Sequence, residues 1–171
     1  MEGDEDRFRE LHTAMYADLL RFAERRVPPA EAEDVVATVF LVAWRRIGDV
    51  PPDARPWLFG VARKTIANQN RGLRRRNVVD LRMVEDRPAE ADATPDRVDL
   101  IRAWWTLSAA DREVLALVAF DGLTGDQAAS VLGCRRSAFS MRLGRARERL
   151  RKALEPAHPA ATIGERTWIT T

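Results

Sequence analysis

At 171 residues the chain holds one ordinary domain or two small ones, and a hydrophobic fraction of 46% excludes global disorder. With 28 basic against 26 acidic residues the net charge is only +2, so any charge-driven function lies in how the charges are distributed. The one cysteine, Cys134, excludes an intrachain disulfide or a cysteine-based metal cluster, and His12 and His158 are too few and too separated for a metal or catalytic cluster. The start, MEGDEDRFRE, is acidic and lacks the apolar stretch of a signal peptide. The longest apolar run, Val35 to Trp44, is broken at Thr38 and is too short to span a bilayer. A cytoplasmic protein with no cofactor, metal or membrane contact is expected.

No stretch alternates with period two, so the fold class read from the pattern is all-α. The first helix, over residues 5–26, carries Phe8, Leu11, Met15, Leu19 and Phe22 at helical spacing and stops before Pro28-Pro29. A second runs from Ala30 to Ile47, with Glu31, Glu33 and Asp34 near its start, where the helix dipole favours negative charge. Val36, Phe40, Ala43 and Ile47 form one apolar stripe on it. Val35, Val39, Leu41, Val42 and Trp44 add apolar surface around much of the remaining circumference. Such a helix is either centrally buried or docks on a partner. A third helix starts near Asp53, a plausible N-cap, and continues to Arg76. Residues 63–76 hold Arg63, Lys64, Arg71, Arg74, Arg75 and Arg76 without one acid. With Asn68 and Gln69, these side chains suit phosphates and base edges. A helix C-terminus also favours cations through its dipole alone.

Residues 77–97 have linker composition, with Pro88, Pro95 and a polar, acidic mixture, and could stretch at most roughly 70 Å. A helix from Pro95 to Trp105 and another from Ala109 to Phe120, capped by Ser108, then precede the stretch Gly122–Arg151. That stretch reads as two short helices joined by a tight turn. Ala129 and Gly133 lie where a helix-turn-helix needs a small residue and a permissive one. In the second of these helices, over residues 137–154, Phe139, Leu143, Ala146 and Leu150 make an apolar stripe, and Arg142, Arg145 and Arg149 make another. From Arg135 to Lys152 there are eight basic residues against one acid, Glu148. An apolar face for docking and a cationic face left over suit a helix in a DNA groove. The expected architecture is two small helical domains joined by a flexible acidic linker, the second a helix-turn-helix. The tail, residues 155–171, reads as poorly ordered.

These pieces together resemble the extracytoplasmic-function (ECF) sigma factors of bacterial RNA polymerase, over roughly residues 7–153. AEDVVATVFLVAWRR at 32–46 resembles the region 2 helix that docks on the clamp helices of the polymerase largest subunit. RPWLFGVARKTIANQNRGLRRR at 55–76 resembles the segment that reads and opens the minus-ten element. LSAADREVLALVAFDGLTGDQAASVLGCRRSAFSMRLGRARERLR at 107–151 resembles region 4, which reads the minus-thirty-five element and touches the flap of the second-largest subunit.

The resemblance implies a sigma factor without catalysis of its own, whose partners are core RNA polymerase, promoter DNA and an anti-sigma factor. Residues 1–76 correspond to region 2, 77–97 to the linker and 98–154 to region 4. It implies DNA contacts by Arg63, Lys64, Asn68, Gln69, Arg71, Arg74, Arg75 and Arg76, and by Arg135, Arg136, Ser137, Ser140, Arg142, Arg145 and Arg147. Asp34, Ala37, Thr38, Leu41 and Arg45, on one stripe opposite the core stripe, are the expected polymerase-docking residues. The chain departs from the family at Thr38, where an acidic residue is usual, and at Ala37, often a glutamine, so docking leans on Asp34 and apolar contact. In the recognition helix Ala138 and Ser140 replace a threonine and a lysine, which predicts an altered sequence preference. A stand-alone helix-turn-helix regulator, its N-terminal helices forming a dimer or binding a ligand, is the alternative reading.

Overall fold

The computed structural model describes the backbone of residues 2–76 and 94–155 and the side chains of residues 3–69 and 94–155. Expectations for residues 77–93 of the linker, for the tail beyond Glu155 and for the side chains of Arg71, Arg74, Arg75 and Arg76 fall outside them. The described chain is helical and contains no strand. In order come α1 (Glu2–Glu24), α2 (Pro29–Arg45), a 3₁₀ turn (Ile47–Asp49), α3 (Ala54–Arg76), α4 (Pro95–Thr106), α5 (Ala109–Ala119), α6 (Gly125–Leu132) and α7 (Arg136–Leu154).

The helix boundaries follow local chemistry. Pro29 opens α2 and Pro95 opens α4, in the first turn where a missing N–H leaves no bond unmade. The Ser108 hydroxyl accepts from the Asp111 amide at 3.1 Å and caps α5. Thr124 and Gln127 form a reciprocal capping box at the start of α6. Gly133 ends α6 in the left-handed conformation, φ +64°, and so makes the turn of the helix-turn-helix. Helix α2 stops at Arg45, two residues before the expected Ile47. The Arg46 amide is shared between the Val42 and Ala43 carbonyls, and the chain tightens into the 3₁₀ turn ahead of Pro51-Pro52.

Helices α1, α2 and α3 pack on one another, while α7 packs on α4, α5 and α6. In the first group Leu19, Phe22, Val35, Val36, Val39, Leu58 and Phe59 are fully buried, with the Phe22 and Phe59 rings 4.7 Å apart. Each such side chain contributes about 1.5–3 kcal/mol of burial free energy. In the second group Leu117 and Phe139 are fully buried, and Leu107, Leu115 and Ala146 form a smaller cluster with Trp104, Leu143 and Leu150. The two groups are not independent. Helix α6 lies against α3, and Val114, Leu117, Leu123, Ala128, Ala129, Val131 and Phe139 join the same buried cluster as the first three helices.

The ambiguity of the second helix is resolved by this packing. Val35 and Val39 are buried with Val36, Phe40 and Ala43, whereas Leu41 and Trp44 stay exposed. The core takes a wide arc of α2 and leaves a smaller apolar surface outside.

Two substitutions test these assignments. Phe22→Ala removes a fully buried ring and should cost about 3–5 kcal/mol. Gly133→Ala forces a Cβ into the left-handed region and should cost about 1–2 kcal/mol, although nothing crowds the site. Denaturant unfolding at constant m-value measures both; a shift under about 0.5 kcal/mol for Phe22→Ala would contradict its place in the core.

Candidate nucleic-acid interface

Helix α7 is held by one face. Phe139 and Ala146 are fully buried, and Leu143 and Leu150 pack beside them, the stripe expected from the sequence. With that face fixed, Arg135, Ser137, Ser140, Arg142, Arg145 and Arg147 are exposed. Side-chain partners then separate the cations. Arg149 Nη1 donates to both oxygens of the buried Asp111 carboxylate, at 2.7 and 2.8 Å. Arg151 and Lys152 pair with Glu148, and Arg151 also pairs with Glu155. The hydrogen bond from Arg151 holds the Glu148 carboxyl below the usual carboxylate range. Arg136 folds back on α6, 3.4 Å from Asp126, and donates to the Ser140 hydroxyl. Among the described residues, Arg135, Arg142, Arg145 and Arg147 make no ion pair. The one-acid charge count of this segment therefore overstates its free positive charge.

Helix α3 buries Leu58, Phe59, Ala62 and Ile66, which turns Arg63, Lys64 and Asn68 outward, with Gln69 half-buried beside them. Phe59 belongs to the core and Trp57 is partly buried at its edge. Arg63 approaches Glu113 of α5 at 4.0 Å. A cleft of about 440 Å³ brings the two basic helices together, with Arg63 on one side and Arg142, Arg145 and Arg149 on the other, above Asp111 and Glu113.

On α2, Asp34, Ala37, Thr38, Leu41 and Arg45 are all exposed, as the opposite-stripe argument requires. Beside Leu41 lies a patch the sequence reading did not identify. Phe8, His12 and Tyr16 of α1 meet Phe40 and Trp44 of α2, with His12 and Phe40 4.4 Å apart and Phe8 and Trp44 edge-to-face at 5.2 Å. Trp44 and Leu41 are nearly half exposed, at 44% and 48%. The four-residue spacing of Phe8, His12 and Tyr16, one helical stripe, is the sequence signal for this patch.

Sequence reasoning also missed Asp121 and Glu113. Asp121, in the turn between α5 and α6, has a fully buried carboxylate. Its partners are Arg25 and Arg26 in the turn that follows α1, the latter at 2.7 Å. Nothing in a linear pattern links residues so far apart.

Comparison with known proteins agrees with this geometry. Residues 11–76 match the family model for sigma-70 region 2, and residues 98–150 that for sigma-70, region 4. The ECF RNA polymerase sigma factor SigL of Mycobacterium tuberculosis is 36% identical over 86% of this chain and 88% of its own. The RNA polymerase sigma factor CnrH of Cupriavidus metallidurans is 32% identical over 75% of this chain and 76% of its own. Among solved structures, CnrH in complex with the cytosolic domain of CnrY matches with a TM-score of 0.60 at 27% identity, over 86% of each chain. The sigma factor RpoE of Bartonella quintana, in complex with the anti-sigma factor NepR, matches with a TM-score of 0.66 at 26% identity. That match covers 87% of this chain and 99% of RpoE. The N-terminal helices are thus a sigma region, which sets aside the stand-alone regulator with a dimerising or ligand-binding half. Among the described residues no helix is long and apolar enough to cross a membrane. The chain belongs to the extracytoplasmic-function family of RNA polymerase sigma factors and is an alternative sigma factor that directs transcription from promoters.

Proposed function

We infer that promoter reading is divided between α7 and α3, and that α2 carries the polymerase. The observation that carries this reading is that Arg142, Arg145 and Arg147 stand exposed and unpaired on a helix pinned by Phe139 and Ala146. In the major groove of the minus-thirty-five element, forked guanidinium groups pair with phosphates or guanine edges. Arg135 and Ser137 serve the N-terminal end of that helix. Arg136 holds Ser140 and Asp126 as a positioning group before it reaches DNA. Arg63, Lys64, Asn68 and Gln69, with the arginines at 71 and 74–76, engage the minus-ten element as it opens. Capture of an unstacked base offsets a cost of a few kcal/mol.

Residues 1–76 act as the docking and minus-ten unit, 77–97 as the linker and 98–154 as the minus-thirty-five unit. Core polymerase binds the stripe Asp34, Ala37, Thr38, Leu41 and Arg45, and exposed Trp44 extends its apolar contact. Aromatic and apolar anchors of this kind dominate interface energies, which compensates for the missing acid at Thr38. By likeness to RpoE, solved with NepR, an anti-sigma factor is a further partner. The chain works in the cytoplasm and supplies binding energy, while polymerase supplies the catalysis.

Run-off transcription with core polymerase on a promoter library should yield promoter-dependent product. Its absence, alongside tight duplex binding by the free chain, would overturn the assignment of roles. Arg142→Ala and Arg145→Ala should each lower the slope of log affinity against log salt by about 1. Ser140→Lys should shift minus-thirty-five preference in the same library. The double variant Asp34→Lys, Leu41→Glu should weaken core polymerase binding about 30-fold with helicity unchanged, the loss expected of hot-spot residues.

A further inference from the structure

Gly125 opens α6, and the side chain that covers it comes from α7. A methyl group at Gly125 would fall 2.5 Å from Nη2 and 2.7 Å from Nε of Arg136, and closer still to Cζ. The guanidinium therefore lies against bare backbone that only glycine provides. Its Nε stands 3.4 Å from Asp126, and its Nη1 donates to the Ser140 hydroxyl, one turn further along α7. A helix dipole does not send a cation here. The N-terminal end of α6 carries partial positive charge, which Asp126 in the first turn offsets.

This contact changes what Ser140 can do. A helical hydroxyl can turn back and donate to the carbonyl four residues earlier, as Thr13 of α1 does to Arg9 at 2.9 Å. At Ser140 the residue four positions earlier is Arg136, which instead donates to the hydroxyl from its side chain. A hydroxyl has one proton and two lone pairs. With a cationic N–H on one lone pair, the proton turns away from the guanidinium, toward the exposed side of α7. The same charge strengthens the O–H as a donor and weakens the oxygen as an acceptor for a second group.

We propose that Ser140 reads the minus-thirty-five element as a hydrogen-bond donor, and that Arg136, seated on Gly125 and Asp126, is the positioning residue that gives it this direction. Base edges in the major groove then divide simply. Guanine O6 and N7, adenine N7 and thymine O4 accept a proton, whereas cytosine presents only its N4 amino donor. Ser140 therefore selects against cytosine at the one strand position it faces. Arg136 contributes to sequence choice without touching a base. The inference rests on the reading of α7 as the minus-thirty-five helix.

Gly125→Ala isolates the effect. Its methyl group displaces only the far end of a flexible side chain, and alanine favours the helix more than glycine does. The test uses holoenzyme assembled from the full chain and core polymerase, on a promoter library randomised across the minus-thirty-five element. Wild type should disfavour cytosine about fivefold at one position, the size of one hydrogen bond. Gly125→Ala and Ser140→Ala should each reduce that preference to about twofold or less, with far-UV helicity unchanged. The double variant should lose no more than Ser140→Ala alone, because both changes act through one hydroxyl. Should Gly125→Ala lose helicity, Arg136→Gln takes its place. Discrimination that survives displacement of Arg136, or that Ser140→Ala leaves in place, would overturn the proposal. So would single variants that flatten different positions. If Arg142→Ala also leaves promoter affinity unchanged, the failure lies in the assignment of α7 to DNA.

Discussion

The rotational setting of α7 is the constraint on which the rest of the binding surface depends. Phe139 and Ala146, fully buried and two turns apart, fix one line along the helix, and at about 100° per residue that fixes where every other side chain points. Arg142 and Arg145 face outward for no reason of their own; they are what remains once the apolar line is buried. Helix α3 obeys the same rule. Leu58, Phe59, Ala62 and Ile66 go inward, and Arg63, Lys64 and Asn68 are left at the surface. Two unrelated packing events thereby produce two basic faces, each stiff enough to hold its contacts in register.

Charge counted along the chain and charge available to a ligand are different quantities here. Local pairing at three or four residues removes Arg151 and Lys152 from the free set, and a long-range ion pair with Asp111 removes Arg149. What is left is a short unpaired run, Arg142, Arg145 and Arg147, with Arg135 at the helix start. The exposed pairs near Glu148 contribute little stability, because solvent screens them. Their effect is to leave the last turns of α7, from Glu148 onward, without an unpaired cation.

The helices, the turn at Gly133 and the caps at Ser108 and Thr124 were legible in the sequence because each is decided within a few residues by periodicity, a hydroxyl or a missing Cβ. The exposed stripe on α2 was legible for the same reason, since burying Val36, Phe40 and Ala43 leaves Asp34, Thr38 and Arg45 on the far side. Long-range contacts were not. Arg25 and Arg26 read as the charged end of an amphipathic helix, and Asp121 as an ordinary residue before a turn glycine. Only their meeting across nearly a hundred positions gives them a role. The aromatic patch failed for a different reason: Phe8, His12 and Tyr16 fit a core stripe equally well, and exposure depends on how many neighbours cover it.

The junction between the two regions is apolar as well as charged: Leu123, Ala128, Ala129 and Val131 continue the buried cluster of the first three helices, and parting it would expose hydrocarbon. The charged set beside it, Asp121, Glu113, Arg25 and Arg26, adds little net stability, since the gain of a buried pair is offset by lost hydration. Arginine suits this use in particular. Its planar fork accepts a carboxylate or a phosphate with nearly the same geometry, and only two of the chain's 28 cations, Lys64 and Lys152, are lysine. Arg63 stands 4.0 Å from Glu113, an ion-pair distance beyond hydrogen-bonding reach.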